Sequence, residues 1–466
     1  MAAAVAVLAG CTAVRDARMA QDEVSGRADG RTVDGPRVDL RGATLAKLVD
    51  FAVTNRPEMA SAYLSWADAH LAMLELESDA PLASATPWKA PSLSATLGRT
   101  ASSKVAKLRD LSGRTVGDAS GSLSLEVLLW DFGRNRAQVA AQAESVVAAE
   151  LKYADEGFSV FEEVASAYFA VLEADALLDV ALTNEFEFAE RLGQAEDRLA
   201  AGEAKNLDVL RARMDLASAR ESVVSASNSV ATSGAKLVRA LGLDVSRACR
   251  DDILPRRGSP LAAMSRGFAD TCFGVDGAFA LARRNAPKVQ VARAKLRAAS
   301  DRVDFAVADL MPSVSATASL NWTDPMWYWR WGLSGVQSLF TGWRKTTAVD
   351  RAVTAMLAAA SDVDGAEQEL SLALELAVAE RDNSRVALAS AEESLRQARE
   401  NLENVRGQLG VGDASRVDYA DAVASYVTAL GNRVKAFYRG QVAEAKLFSA
   451  LGVPPDYREE TVGEEM

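Results

Sequence analysis

Reactive side chains are scarce in this sequence. One histidine, His70, and three cysteines, Cys11, Cys249 and Cys272, are all that it offers for metal ligation or nucleophilic attack. Zinc sites and activated nucleophiles need several such groups converging, and no nucleophile–base pair, metal-ligand cluster or phosphate-cradling loop is written here. Neither an enzyme nor a cofactor is expected. His70 reads as a surface or packing residue. Cys249 and Cys272 could form a disulfide in an oxidising compartment, and two free thiols fit the sequence equally well.

Cys11 has a different context. Leu8-Ala9-Gly10-Cys11 resembles the bacterial lipobox, in which small residues precede a cysteine that is acylated and becomes the new N-terminus. The apolar run before it is too short to span a bilayer, so acyl chains would tether the protein without a transmembrane helix. The charge balance is 52 Lys plus Arg against 64 Asp plus Glu, a formal −12. Attraction to nucleic acid or to an anionic membrane surface by bulk charge is therefore disfavoured. Ala, Val, Leu, Glu and Arg dominate and aromatics make up only 6%, the balance of long helical assemblies.

What positions these residues is a tandem repeat. Trp130-Asp131-Phe132-Gly133-Arg134 returns as Phe340-Thr341-Gly342-Trp343-Arg344, 210 positions later. The same offset pairs Gly202 with Gly412, Asp208 with Asp418, and Leu241-Gly242 with Leu451-Gly452. An offset held without insertion for more than a hundred residues requires segments of fixed length. Upstream the offset shrinks: Asn55-Arg56-Pro57 matches Asn285-Ala286-Pro287 at 230, and the run from Pro91 matches the run from Pro312 at 221. Length changes thus fall in loops, which tolerate them.

After Pro91 and Pro312 the pattern alternates with period two. Val314, Ala316, Ala318, Leu320 and Trp322 oppose Ser313, Ser315, Thr317, Ser319 and Asn321, and a return strand carries Trp327, Trp329, Trp331 and Leu333. Each repeat therefore holds one β-hairpin, about 91–129 and about 312–339. Strands of about ten residues with this dyad pattern suit a membrane-spanning barrel. The cluster Trp322, Trp327, Tyr328, Trp329 and Trp331 supplies membrane-interface aromatics. Four strands cannot close, so closure needs several chains.

Each hairpin leads into one long helix. Gly133 to Leu199 runs 67 residues without proline, roughly 100 Å. A heptad seam runs through Leu388, Ala391, Leu395, Ala398, Leu402, Val405 and Leu409, and again through Leu178, Ala181, Glu185, Phe188, Leu192, Ala195 and Leu199, so these helices pack as coiled coils. They end at Gly202 and at Gly410 and Gly412, where a left-handed cap is easy. The returning helices are half as long, which leaves the segments 45–77 and 275–310 to complete the way back.

The repeated Leu-Trp-Asp-Phe-Gly-Arg and Leu-Phe-Thr-Gly-Trp-Arg, the helix-to-strand switches at Pro91 and Pro312, and the Ala-Gly-x5-Asp-Val-Leu and Val-Gly-x5-Asp-Tyr-Ala turns make the chain similar to the TolC-like outer-membrane factors, lipoprotein branch. That resemblance implies a mainly α fold with a small β part: a homotrimer with a twelve-stranded β-barrel in the outer membrane on a twelve-helix periplasmic tunnel. It implies the exit duct of a tripartite efflux or type I secretion system, passive, with a periplasmic adaptor and an inner-membrane pump as partners, in contact with outer membrane lipid. By the same resemblance Asp418 and Asp421, with Asp208 as the first-repeat counterpart, line the periplasmic entrance. Where some members place a tyrosine and an arginine that lock the entrance, this chain has Leu409 and Ala414, with Arg416 nearby.

The organisation expected is a lipoprotein signal remnant (1–10), an N-terminal tether (11–44), a first repeat (45–243), a linker holding Cys249 and Cys272 (244–274), a second repeat (275–454) and an acidic tail (455–466). A structural coiled-coil lipoprotein or a periplasmic adaptor would share the anchor and the heptads. A structural coiled coil has no use for two amphipathic strands with an aromatic belt, and an adaptor would also need a barrel or lipoyl-like domain, which the sequence does not show.

Overall fold

The computed structural model describes residues 44–79, 92–100, 118–202, 205–243, 275–323, 326–338, 342–411 and 415–453. The sequence expectations for Cys11, Pro91, Cys249, Cys272 and Gly412 lie outside them. Along the chain come α1 (Leu45–Asn55), α2 (Pro57–Asp79), β1 (Ser92–Thr100), β2 (Asp118–Trp130), α3 (Arg134–Ala200) and α4 (Asn206–Ala240). Then follow α5 (Val275–Asn285), α6 (Pro287–Ala308), β3 (Ser313–Thr323), β4 (Met326–Val336), α7 (Arg344–Val411) and α8 (Arg416–Leu451).

The chain is mainly helical, and two helices dominate: α3 has 67 residues and α7 has 68, each about 100 Å long. The returning helices α4 and α8 have 35 and 36 residues. α4 packs along α3 and α8 along α7, while α2 lies on α3 and α6 lies between α3 and α7. The heptad reading of α7 matches its surface. Leu388, Ala391, Leu395, Ala398, Leu402, Val405 and Leu409 are half-buried and the residues between them are exposed. On α3 the buried stripe is broader, because α8 also packs there.

The proline-initiated joints follow from backbone sterics, since the residue before a proline is pushed out of the α region. Arg56, between α1 and α2, has φ −71° and ψ 133°; Ala286, between α5 and α6, has φ −59° and ψ 119°. At these joints the bundle thickens into two cores. One gathers Leu45 and Leu48 of α1, Val164, Tyr168 and Phe169 of α3, Leu237 and Val238 of α4 and Phe448 of α8. The other gathers Ala282, Val289, Leu374 and Leu451. Burying such side chains stabilises by roughly 1.5–3 kcal/mol each, which locks the stacked short helices onto the long ones.

The strands form one antiparallel sheet in the order β1-β2-β3-β4, so β1 and β4 are its edges. Ser124 faces Ser319, which faces Arg330; Leu125 faces Ala318, which faces Trp331. Registers of this kind sort the side chains by type, because successive residues of a strand point to opposite faces. A bulge between Leu128 and Trp130 shifts the β2–β3 register before its last pair, Trp130 with Val314.

Candidate functional site

Three places along the molecule concentrate polar groups or exposed aromatics: the sheet, the strand-to-helix seam and the far helical tip. On the sheet, one face carries Leu123, Leu125 and Val127 of β2, Ala318, Leu320 and Trp322 of β3, and Trp327, Trp329, Trp331 and Leu333 of β4. The last four are 66–72% exposed. Aromatic surface of that extent needs a cover, and a bilayer interface is the cover that Trp prefers.

The opposite face carries Ser122, Ser124, Glu126, Thr317, Ser319, Asn321, Arg330 and Ser334, with Ser315 and Ser334 sharing a hydroxyl hydrogen bond of 2.9 Å. Tyr328 belongs here too: it faces Asn321, and the Arg330 guanidinium lies 5.9 Å from its ring centre. The aromatic cluster of the sequence therefore divides. The four tryptophans share the apolar face and Tyr328 takes the polar one, as strict alternation demands.

At the seam, the buried Asp131 carboxylate accepts the backbone N–H groups of Gly133 (3.2 Å) and Asn135 (2.8 Å), capping α3. Asp309, which closes α6, receives Arg134 Nη1 at 2.9 Å and Lys345 Nζ at 3.3 Å. One carboxylate thus ties the first turns of both long helices. Phe132 and Gly133, and Gly342 and Trp343, hold positive φ (54°, 85°, 60° and 66°). In this region a side chain is unfavourable by roughly 1–2 kcal/mol. The strained turn presents Phe132 and Trp343 outward, 48% and 72% exposed, beside Trp130 at 50%. They form a second aromatic level, at the helical end of the sheet, that the sequence reading did not single out. Pro312 sits just ahead of β3 at the same level.

At the far tip, Gly202 ends α3 with φ 77°. Gly410 differs from its expected role. It is helical, and α7 runs one residue past it to Val411. Asp208 and Asp418 both occupy the third position of a returning helix. Asp208 Oδ2 accepts Lys205 N–H at 3.1 Å and Asp418 Oδ2 accepts Ser415 N–H at 2.9 Å. Asp418 N–H donates in turn to Ser415 Oγ at 3.2 Å, completing a capping box. The Ser415 hydroxyl and N–H hold the Asp418 carboxyl below the usual carboxylate range. Asp421 is exposed three residues further on, about one helical turn from Asp418 on the same face.

A contact not anticipated from the sequence joins the two helical hairpins near this tip. Arg191 of α3 lies between two rings, 4.9 Å from Phe188 and 4.5 Å from Tyr419 of α8. Its Nε and Nη2 are buried without a hydrogen-bond partner among the described residues. Cation–π attraction is what holds it. No spacing rule links position 191 to 419, so only the fold reveals the pair.

No described helix is long and apolar enough to cross a membrane. The two-faced sheet, aromatic on one side and polar on the other, has the make-up of a surface between lipid and water. The fold is similar to the outer membrane protein VceC from Vibrio cholerae (TM-score 0.70, 18% identity, 88% of this chain and 96% of that chain). It is similar to a membrane protein from Pseudomonas aeruginosa (TM-score 0.71, 21% identity, 91% and 94%). A third likeness is the open state of the MtrE outer membrane channel of Neisseria gonorrhoeae (TM-score 0.69, 20% identity, 90% and 94%). No curated protein matches by sequence. The family model described as "Outer membrane efflux protein" matches residues 55–243 and 279–453, most of the chain. The chain therefore belongs to the outer membrane efflux protein family, whose place is the outer membrane with an extension into the periplasm.

Proposed function

We propose that three copies of this chain assemble into the exit duct of a tripartite efflux or type I secretion system. The observation that carries the reading is the two-faced four-stranded sheet with β1 and β4 as open edges. An unpaired edge in lipid leaves each backbone polar group unsatisfied at several kcal/mol. Two copies give eight strands, a barrel filled by its own side chains; three give twelve and leave a water-filled lumen. The helical columns of three chains continue that lumen into the periplasm as a tunnel, passive in itself, which an adaptor and an inner-membrane pump engage at the tip.

Within this reading the chain divides into a lipoprotein signal remnant (1–10), an N-terminal tether (11–44) acylated at Cys11, two repeats (45–243 and 275–454), the linker 244–274 with Cys249 and Cys272, and an acidic C-terminal tail (455–466). Asp418 and Asp421, three copies each, form an acidic ring at the entrance, with Asp208 behind them. Acidic rings hold cations and repel anions. The capping role of Asp418 fixes its carboxylate at the helix start and keeps it ionised, which supports the assignment.

Single-channel recording of the purified protein in a planar bilayer tests this. Discrete cation-selective steps are expected, with selectivity reduced in Asp418→Ala/Asp421→Ala. A well-folded helical oligomer that never conducts in either form would refute the channel reading. Unchanged selectivity would refute the ring alone.

A further inference from the structure

We propose that α7 of one copy packs on α4 of the next, in the register that α3 and α8 adopt inside a single chain, with Asn383 of the first set between Ser225 and Ser229 of the second. This rests on the trimeric reading above and names the surfaces by which its copies meet.

The two repeats of one chain already meet along such a boundary, where α8 of the second repeat lies on α3 of the first. Arg191 of α3 meets Tyr419 of α8. Leu177 Cδ2 lies 3.7 Å from where a Cβ on Gly431 would be. Lys435 and Arg439 are close enough to Glu173 to act on its carboxylate. As the position falls along α3 it rises along α8, so the two helices run antiparallel and these contacts fix their register.

The offset of 210 carries α3 onto α7 and α8 onto α4. Glu173 and Leu177 become Asn383 and Ala387, while Gly431, Lys435 and Arg439 become Glu221, Ser225 and Ser229. Inside the chain Glu173, Leu177 and Gly431 are half-buried, but Asn383, Ala387, Glu221, Ser225 and Ser229 are exposed. Position explains the difference. α7 packs on α5, α6 and α8, and α4 packs on α3; among the described residues no other helix runs along either of them.

Both free sides have the form of a helix-packing surface. On α7, Leu372, Leu376, Ala379, Asn383, Val386 and Ser390 recur at alternating steps of four and three, and all are exposed. This is a second heptad seam, opposite the one that α8 covers, and such a seam is filled by a neighbouring helix. On α4 a shallow groove is lined by Glu221, Val224, Ser225, Asn228, Ser229 and Thr232.

The two sides are also complementary at matched positions. Leu177 is large where Gly431 has no side chain; Ala387 is small where Glu221 is long. The ionic group of Glu173, Lys435 and Arg439 is replaced by an amide and two hydroxyls, which can satisfy one another without burying a charge. Val386 and Val224, 70% and 60% exposed, are the counterparts of Ala176 and Val434 and cover each other beside that polar group. Because the α7 side and the α4 side differ, the contact is head-to-tail and repeats until a ring closes. A two-fold dimer would mate like with like and need no third chain.

The test uses the full-length protein in detergent, with Cys249→Ser and Cys272→Ser as the parent and Ala387→Cys with Glu221→Cys added to it. A disulfide needs Cα atoms within about 7 Å, so oxidation by copper phenanthroline reads the register. Each chain then carries one thiol on each side, and a covalent trimer that reductant dissolves is expected on denaturing gels. Either cysteine alone should give no more product than the parent, and co-expression of the two single variants should stop at a covalent dimer. Ala387→Cys with Thr232→Cys, displaced by about 16 Å along α4, should not link. A trimer by light scattering that fails to link through Ala387→Cys/Glu221→Cys, or links through the displaced pair instead, would overturn the junction and leave the trimeric reading intact. A double variant whose covalent product stops at dimers, or a parent that is monomeric before oxidation, would overturn both.

Discussion

Three glycines grade the tolerance of the helix ends. Gly202, Gly242 and Gly452 each close a helix in the left-handed region, with φ of +77°, +75° and +64°. An alanine at any of them carries the left-handed penalty of about 1 kcal/mol. The surroundings differ. A Cβ on Gly202, at the tip, meets nothing within 4 Å. On Gly242 it comes within 3.2 Å of Arg56 Cα, Arg56 Cγ and Asn55 O; on Gly452 it comes within 2.8 Å of Asn285 O and 3.0 Å of Ala286 Cα and N. Gly242 and Gly452 thus seat the returning helices against the proline joints. At Gly242 part of the obstruction is a flexible side chain, so overpacking adds about 1 kcal/mol. At Gly452 all of it is backbone, and about 3 kcal/mol is added. The expected losses are about 1, 2 and 4 kcal/mol for Gly202→Ala, Gly242→Ala and Gly452→Ala. Heat-induced loss of helical circular dichroism in detergent, with trimer retention on gels, should rank the variants in that order. If Gly452→Ala melts together with Gly202→Ala, the seating of α8 against the α5–α6 joint is refuted.

Tyr168, buried among α1, α4 and α8, has its phenol pushed up to about 12 by burial. The unfolded chain releases that proton near pH 10 and the native core keeps it, so stability should fall between about pH 10 and 12; Tyr168→Phe should abolish that component of an alkaline unfolding curve. The Asp418 carboxyl is held low by Ser415. Its contribution is therefore present above the ordinary value of 3.8 and lost as pH falls through the folded value. Amide exchange at the start of α8 should accelerate in that acid window, and Ser415→Ala should accelerate it at neutral pH, a loss of about 1 kcal/mol. Arg191→Gln removes the stacking between the hairpins, worth about 1 kcal/mol, and should raise the open probability of single channels. Asp309→Asn weakens both seam ion pairs, whose side chains are 24–46% exposed. Screening limits the loss to about 1 kcal/mol, and molar salt should erase the difference from the native protein.

Periodicity carried most of the fold. The strand alternation and the heptad stripe of α7 are local patterns, and each became the element it described. What escaped was non-local or depended on backbone geometry. Asp309 draws partners from 175 and 36 residues away. Arg191 finds Tyr419 only because α8 crosses α3. Tyr328 was grouped with its tryptophan neighbours by type, although its parity on β4 sets it on the other face. Phe132 and Trp343 stand in the repeated helix-entry motif, but the positive φ that turns them outward has no signature apart from the adjacent Gly133 and Gly342. Gly410 was a reasonable cap by composition, yet α7 continues through it.

The lengths of the helices hold an evolutionary consequence. α3 and α7 differ by one residue, as do α4 and α8. A single inserted residue would rotate everything beyond it by about 100° and carry an exposed side chain into the half-buried stripe. Seven residues restore the seam and advance the tip by about 10.5 Å. Even so, the tip stays level only if α3, α4, α7 and α8 all gain them. A lineage whose envelope widened could therefore lengthen this duct only in coordinated heptads, so its reach is inherited in discrete steps rather than drifting residue by residue.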